Sequence, residues 1–213
     1  YARNRDVQVG VFLANHMFLQ ILQDAGIDAP LSLGLSLGEY NHLVHIGALD
    51  FRQALLTVEQ RGEAYDAGPR GAMASVFPIE LEELEQIAAR AAGDDVLEVV
   101  NLNSPQQHVL SGDTPALERA QALIEDETFA NAVVIERQVP MHCSTFAPVG
   151  RRLREHLQTV RFSRPQLPYL PNREGRMIEA PTDEQFVELL ATHVHSPVLW
   201  RRSIDHVVAC HPD

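Results

Sequence analysis

The sequence predicts an α/β fold with a distinct subdomain, and three observations carry that prediction. The pentapeptide Gly34-Leu35-Ser36-Leu37-Gly38 joins a short apolar run to a helical one, as a strand-to-helix elbow does. The stretch from Gly71 to about Arg137 alternates strand and helix patterns, and apolar residues at helical spacing dominate both flanks.

In chain order, Val9, Phe12, Leu13, His16, Leu19, Ile21 and Leu22 mark a helix over 7–25 that Gly26 would end. Pro30–Leu35 reads as a short buried strand, and 37–46 reads as a helix with Glu39 in its first turn, where the macrodipole favours a carboxylate. Asp50 with Gln53 makes a capping box for a helix running to about Tyr65. Strands over 72–77, 96–102, 108–111 and 131–137, with helices over 81–92 and 115–125, give the β-α-β-β-α-β order of a ferredoxin-like subdomain. The loop Val139-Pro140-Met141-His142-Cys143-Ser144 follows, then a helix over 146–160 and an extended piece over 167–170. Two closing helices part near Ser196-Pro197.

Composition narrows the chemistry. With 213 residues and 45% apolar content, the chain is long enough to bury a core. A net charge of −12 argues against nucleic acid as a partner. All 17 basic residues are arginine, which removes Schiff-base, P-loop and Ser-Lys chemistry from this stretch. Cys143 and Cys210 show no zinc-type spacing and read as reduced thiols, so no metal set is expected. No run of about 18 apolar residues could span a bilayer, and the start lacks a secretory signal; no membrane association and a cytoplasmic address are expected.

A serine hydroxyl is a weak nucleophile that needs a base, and the oxyanion it generates needs donors. The elbow supplies one donor from the backbone N–H of Leu37. Ten histidines compete as base; His142 stands out for its loop position directly after a strand, yet spacing leaves the others open. Arg61 falls on the apolar face marked by Phe51, Leu55 and Val58, so its guanidinium points inward and must find an anion. Either an internal carboxylate or a substrate carboxylate held in a planar fork would serve.

Gly34-Leu35-Ser36-Leu37-Gly38-Glu39-Tyr40 is similar to the G-H-S-L-G-E-Y motif of the malonyl-CoA:acyl carrier protein transacylases and the related acyltransferase domains of polyketide and fatty acid synthases. Four further blocks agree in order: Gln60-Arg61-Gly62, Asn103-Ser104-Pro105-Gln106-Gln107 with Val109-Leu110-Ser111-Gly112, Val139 to Ser144, and Ser196-Pro197-Val198-Leu199-Trp200. The resemblance implies a hydrolase-like parallel-sheet core over 1–70 and 138–213, the ferredoxin-like subdomain over 71–137, and terminal segments missing. It further implies that Ser36 attacks a thioester, His142 shuttles the proton, and Arg61 pairs with the malonyl carboxylate in a ping-pong transfer to an acyl carrier protein. Asn103 and Gln107 correspond to a substrate-binding loop. No cofactor is implied beyond malonyl-CoA as the coenzyme A thioester substrate and phosphopantetheine on the carrier.

Departures from the motif are informative. Leu35 replaces the histidine beside the nucleophile, where altered packing or selectivity is expected. His193, counted among the substrate-binding residues, stands where many members have a glutamine whose backbone carbonyl orients the catalytic histidine; a backbone role would survive the change. The family's N-terminal G-Q-G-x-Q strand-loop, source of a second oxyanion donor, has no counterpart before Tyr1, nor has its C-terminal G-P-G segment after Asp213. The sequence is therefore expected to be the middle of an acyltransferase domain, either a monomeric domain or part of a larger synthase. Retention of Arg61, Val139-Pro140-Met141 in place of a methylmalonyl-type Tyr-Ala-Ser, and Leu37 in place of glutamine point to malonyl. A thioester hydrolase with an editing role and a non-catalytic docking module are the alternatives. Arg151, Arg152, Arg154, Arg201 and Arg202 are candidates for a basic docking surface or a solvated helix face.

Overall fold

The computed structural model describes residues 3–210, leaving the outermost residues of the expected core outside it. The chain opens with α1 (Asn4–Asp24), α2 (Gly38–His45) and α3 (Phe51–Asp66). β1 (Ala72–Phe77), α4 (Leu81–Ala92), β2 (Leu97–Ser104), β3 (Gln107–Gly112), α5 (Thr114–Glu127) and β4 (Asn131–Glu136) follow. A 3-10 turn (Ser144–Phe146) leads into α6 (Ala147–Leu157), α7 (Asp183–His193) and α8 (Trp200–Cys210). Helices and a sheet thus share the chain, as an α/β class requires.

The sheet has strand order β2-β3-β1-β4 with every neighbouring pair antiparallel. The expected parallel-sheet core is not present among the described residues. Pro30–Leu35, read as its strand, is irregular and joins no ladder among the described residues. Among the described residues the only parallel pairing is a bridge between Asn101 and Val198, which ties the segment just before α8 to the sheet edge.

Period-2 alternation gives the sheet two different faces. Ala72, Ala74, Val76, Leu97 and Leu110 turn toward α4 and α5 and form one apolar cluster with Leu84, Ile87, Leu117 and Ile124. Met73, Val100 and Val109 turn the other way, toward Met141 and Cys143 of the loop that carries His142. A larger cluster, with Phe12, Leu43, Ile46, Val58, Phe146, Leu153 and Leu190, joins α1–α3 to α6 and α7.

Two helix starts differ from local expectation. α1 begins earlier than its apolar repeat because the carboxylate of Asp66, at the far end of α3, accepts from the N–H groups of Asn4 (2.7 Å) and Arg5 (3.2 Å). Asp50 caps α3 by accepting from Gln53 N (2.9 Å), but the reciprocal half of the box is absent because Gln53 Oε1 accepts from Arg161 N (3.1 Å) instead.

α1 lies against α3 at a point where only glycine fits: a Cβ on Gly62 would stand 2.4 Å from the Cα of Arg5. Gly62→Ala is therefore expected to push α1 off α3 and cost roughly 1–3 kcal/mol, read as a lowered urea midpoint.

Candidate active site

The elbow is a junction with a demanding backbone. Ser36 has φ +50° although it carries a side chain, a conformation costing on the order of 1–3 kcal/mol unless its surroundings hold it. A Cβ on Gly34 would meet the carbonyl oxygen of Gly38 at 2.0 Å, so the chain can fold back only with glycine there. Gly38 is different: a Cβ would meet nothing within 4 Å, so the second glycine is not a steric requirement of the turn.

His142 also has positive φ, +67°, and its ring is buried. Its Nδ1 lies 2.9 Å from the carbonyl oxygen of His193. A carbonyl can only accept, so Nδ1 carries the proton and Nε2 is left as a lone-pair acceptor. That Nε2 lies 2.8 Å from Ser36 Oγ, which donates to it. Burial, and then the nearby Arg61 cation, lower the His142 pKa to about 4, so the imidazole is neutral near pH 7. Of the ten histidines, this one meets the elbow serine, an outcome set by contacts 106 residues apart in the chain.

Arg61 is 1% exposed. Its guanidinium lies 4.4 Å from the ring centroid of Tyr65 and 5.9 Å from that of Tyr40. One Nη donates to Gln8 Oε1 and the other to Ser36 Oγ (3.1 Å). Among the described residues no carboxylate stands within 4.0 Å of it, and its Nε has no hydrogen-bond partner. The internal ion pair that sequence left open is therefore not formed.

A cleft of about 380 Å³ opens over Ser36 and His142. Its floor is the sheet face bearing Met73, Ser75, Asn101, Asn103, Gln107 and Val109. Asn103 and Gln107 lie not in a loop but on β2 and β3, whose hairpin continues past the expected strand ends. Gln107 Nε2 donates to Ser75 Oγ (2.6 Å), while the carboxamide oxygens of Asn101 and Asn103 have no partner among the described residues. Leu37 N–H donates to no acceptor among the described residues and remains available at the start of α2. Leu35 is exposed and lines both this cleft and a neighbouring apolar groove of about 460 Å³. His193 is a correction: it lies behind His142 with ring centroids 4.9 Å apart and is not part of the cleft lining.

Sequence reading missed three residues here. Glu39, placed by the sequence in the first turn of α2, is buried; it accepts from Tyr169 OH and from Asn172 N (3.1 Å), and His193 Nδ1 stands 3.3 Å away. Asn172 reaches the elbow from 136 residues downstream, a contact no local pattern announces. Asn101 sits two positions before Asn103 on the same strand face, so period-2 alternation would have found it.

Residues 2–213 match the family model described as acyl transferase domain. The chain belongs to that family. Among the relatives of this acyl transferase domain, the malonyl CoA-acyl carrier protein transacylase of Bacillus subtilis strain 168 is 31% identical over 196 residues, which are 90% of this chain and 61% of the relative. The chain thus spans less than two thirds of that relative's length. The crystal structure of the malonyl CoA-acyl carrier protein transacylase from Burkholderia pseudomallei superposes with a TM-score of 0.91 at 27% identity, covering 99% of this chain and 71% of that one. A malonyl-transacylase in complex with its type II PKS acyl-carrier protein gives a TM-score of 0.85 at 27% identity, over 98% of this chain and 68% of that one.

Burial pushes the Glu39 carboxyl up to about 7, so between its ordinary value and pH 7 the folded domain binds more protons at this site than the unfolded chain. Glu39 thus contributes a loss of stability as pH rises through that window, opposite in sign to His42 and His142, whose pKa values are lowered to about 3 and about 4. Urea unfolding of the wild type and Glu39→Gln at pH 5 and pH 7.5 isolates the effect: the stability of the wild type relative to the variant is expected to be lower at pH 7.5.

Proposed function

We propose that this domain moves a malonyl group from malonyl-CoA to the phosphopantetheine thiol of an acyl carrier protein through an acyl-serine at Ser36. The observation that carries the reading is Arg61, a buried cation without a carboxylate partner, 3.1 Å from the serine oxygen. A buried guanidinium in that state is satisfied by an acyl group that brings its own carboxylate, and a plain acyl chain would leave it unpaired.

The chemistry then follows from the hydrogen-bond directions. His142 Nε2 takes the Ser36 proton as Oγ bonds to the thioester carbon, and the N–H of Leu37 donates to the oxyanion. The C–S bond breaks, and the imidazolium returns its proton to the coenzyme A sulfur. In the second half the carrier thiol gives its proton to Nε2, attacks the ester carbonyl and releases Ser36, which regains the proton. The His193 carbonyl holds the tautomer throughout. Asn101, Asn103 and Gln107 border the path of the thioester along the sheet face. Both thioesters are substrates, and the reaction needs no resident cofactor or metal. Such substrates place the domain in the cytoplasm.

We read residues 71–137 as a ferredoxin-like subdomain inserted into a hydrolase-type core formed by 1–70 and 138–213. Two separate apolar clusters and the β-α-β-β-α-β order support that division. Arg151, Arg152 and Arg202 are exposed and offer cations to an acidic carrier, whereas Arg154 is engaged by Glu188 at 2.6 Å.

Arg61→Ala is expected to lower kcat/KM for malonyl-CoA on the order of 100-fold, the loss of about two charge-assisted hydrogen bonds, while acetyl-CoA improves relative to malonyl-CoA. An unchanged malonyl preference would overturn the carboxylate reading. Because His142 is neutral down to about pH 4, single-turnover acylation of Ser36, followed by intact-protein mass spectrometry, is expected to stay level from pH 8 to about 5. An acid limb near 6.5, the ordinary imidazole value, would contradict the assigned base. Acylated enzyme incubated with and without carrier protein separates transfer from hydrolysis.

A further inference from the structure

Asn172 makes a set of contacts that neither the proposed reaction nor the sequence motifs account for. It is 1% exposed and sits in the irregular segment between α6 and α7. Its Oδ1 accepts from the backbone N–H of Ser36 (2.6 Å), and its Nδ2 donates to the carbonyl of Gly34 (2.7 Å). Its own N–H donates to Glu39 Oε2 (3.1 Å), and its carbonyl accepts from Leu199 N (2.9 Å). The side-chain amide thus donates to the residue before Leu35 and accepts from the residue after it, the pair of bonds a parallel strand would make at this point.

We propose that Asn172 is a positioning residue for the nucleophile, its carboxamide standing in for a neighbouring strand and holding Ser36 at φ +50° so that Oγ meets His142 Nε2. The inference rests on the reading of Ser36 as the acylated residue. Only a group with one donor and one acceptor in this plane serves both elbow atoms, and Glu39 fixes the amide from behind through the backbone N–H of the same residue. Aspartate has the same shape but, when ionised, only acceptors, so it would set a carboxylate oxygen against the Gly34 carbonyl. Protonated aspartate restores the donor-acceptor pair.

That difference supplies the test. Malonyl-CoA and the full chain are mixed, and the single-turnover rate of Ser36 acylation is followed by mass spectrometry from pH 5.5 to 8.5, with Ser36→Ala as blank. Wild type must form the adduct first; if it does not, the reading of Ser36 fails, and with it the premise of this inference. Given the adduct, Asn172→Ala is expected to acylate roughly 10- to 100-fold more slowly at saturating malonyl-CoA with KM little changed. Asn172→Asp is expected to be slow at pH 8.5 and to recover toward the wild-type rate as pH falls. The titratable or charged groups facing the clamp are Glu39 from α2, Arg61 from α3, His142, Tyr169 and His193 from α7, and all are present in every protein. The ratio of Asn172→Asp to Asn172→Ala therefore reports the introduced carboxyl. If Asn172→Ala does not fold, as judged by its melting curve, the ratio of Asn172→Asp to wild type decides in its place. A folded Asn172→Ala with wild-type acylation, or an Asn172→Asp rate that follows the wild-type pH course, overturns the proposal.

Discussion

The guanidinium of Arg61 lies in the interior with no carboxylate beside it among the described residues, and much of the surrounding architecture follows from holding a cation there. Desolvating an isolated charge is prohibitive unless its hydrogens and its field find partners. Gln8 from α1 accepts one hydrogen, Ser36 Oγ accepts another, and the faces of Tyr65 and Tyr40 take up part of the field. Each partner comes from a different place in the chain, so α1 must pack closely on α3, which in turn requires glycine at position 62. The same cation helps to keep His142 neutral and lowers the otherwise raised pKa of Glu39. One charge therefore influences His142, Ser36 and the buried Glu39 behind them.

A second arrangement depends on the two faces of the sheet. The helix-facing side is a closed apolar core, whereas the opposite side carries Ser75, Asn101, Asn103 and Gln107, with the carboxamide oxygens of Asn101 and Asn103 left without a partner among the described residues. β2 and β3 thus contribute residues to both the core and the cleft, with a register irregularity between Val99 and Asn101 that sets Asn101 beside Val100 on the cleft side. The loop bearing His142 rests on this polar side through Met141 and Cys143, and Glu98 at the start of β2 accepts from Ser144 N (2.9 Å). The small sheet is fastened directly to the segment that carries His142.

Most of the secondary structure was legible in the sequence because it is local. The helices over 4–24, 51–66, 81–92 and 114–127 show their apolar stripes, and the four strands of the sheet fall close to the expected ranges and in the expected order with their helices. Pro30–Leu35 was misread because a strand is a relation between two segments, and an apolar run says nothing about its neighbour. At the site, Ser36, His142 and Arg61 were found from motif blocks, and the structure brings all three within hydrogen-bonding reach of one oxygen. Asn103 and Gln107 were found, but on strands rather than a loop; His193 was found for its carbonyl, not for the cleft. Asn172 and the burial of Glu39 stayed hidden, since each depends on a partner more than 120 residues away. Short-range pattern carries helices and turns; it carries no record of which distant side chain completes them.

The separations at the elbow have a consequence for how the site comes into being. Ser36 receives its partners from positions 25, 106 and 136 residues further along the chain, so no short contiguous fragment of the fold brings all of them to the serine. Contacts of that span form only after the intervening chain has been organised, which places the elbow among the late events of folding. Nucleophilicity at Ser36 is then an all-or-none property of the native state. A nascent or partly unfolded chain carries an ordinary hydroxyl at position 36, without the donors and acceptor that surround it in the fold.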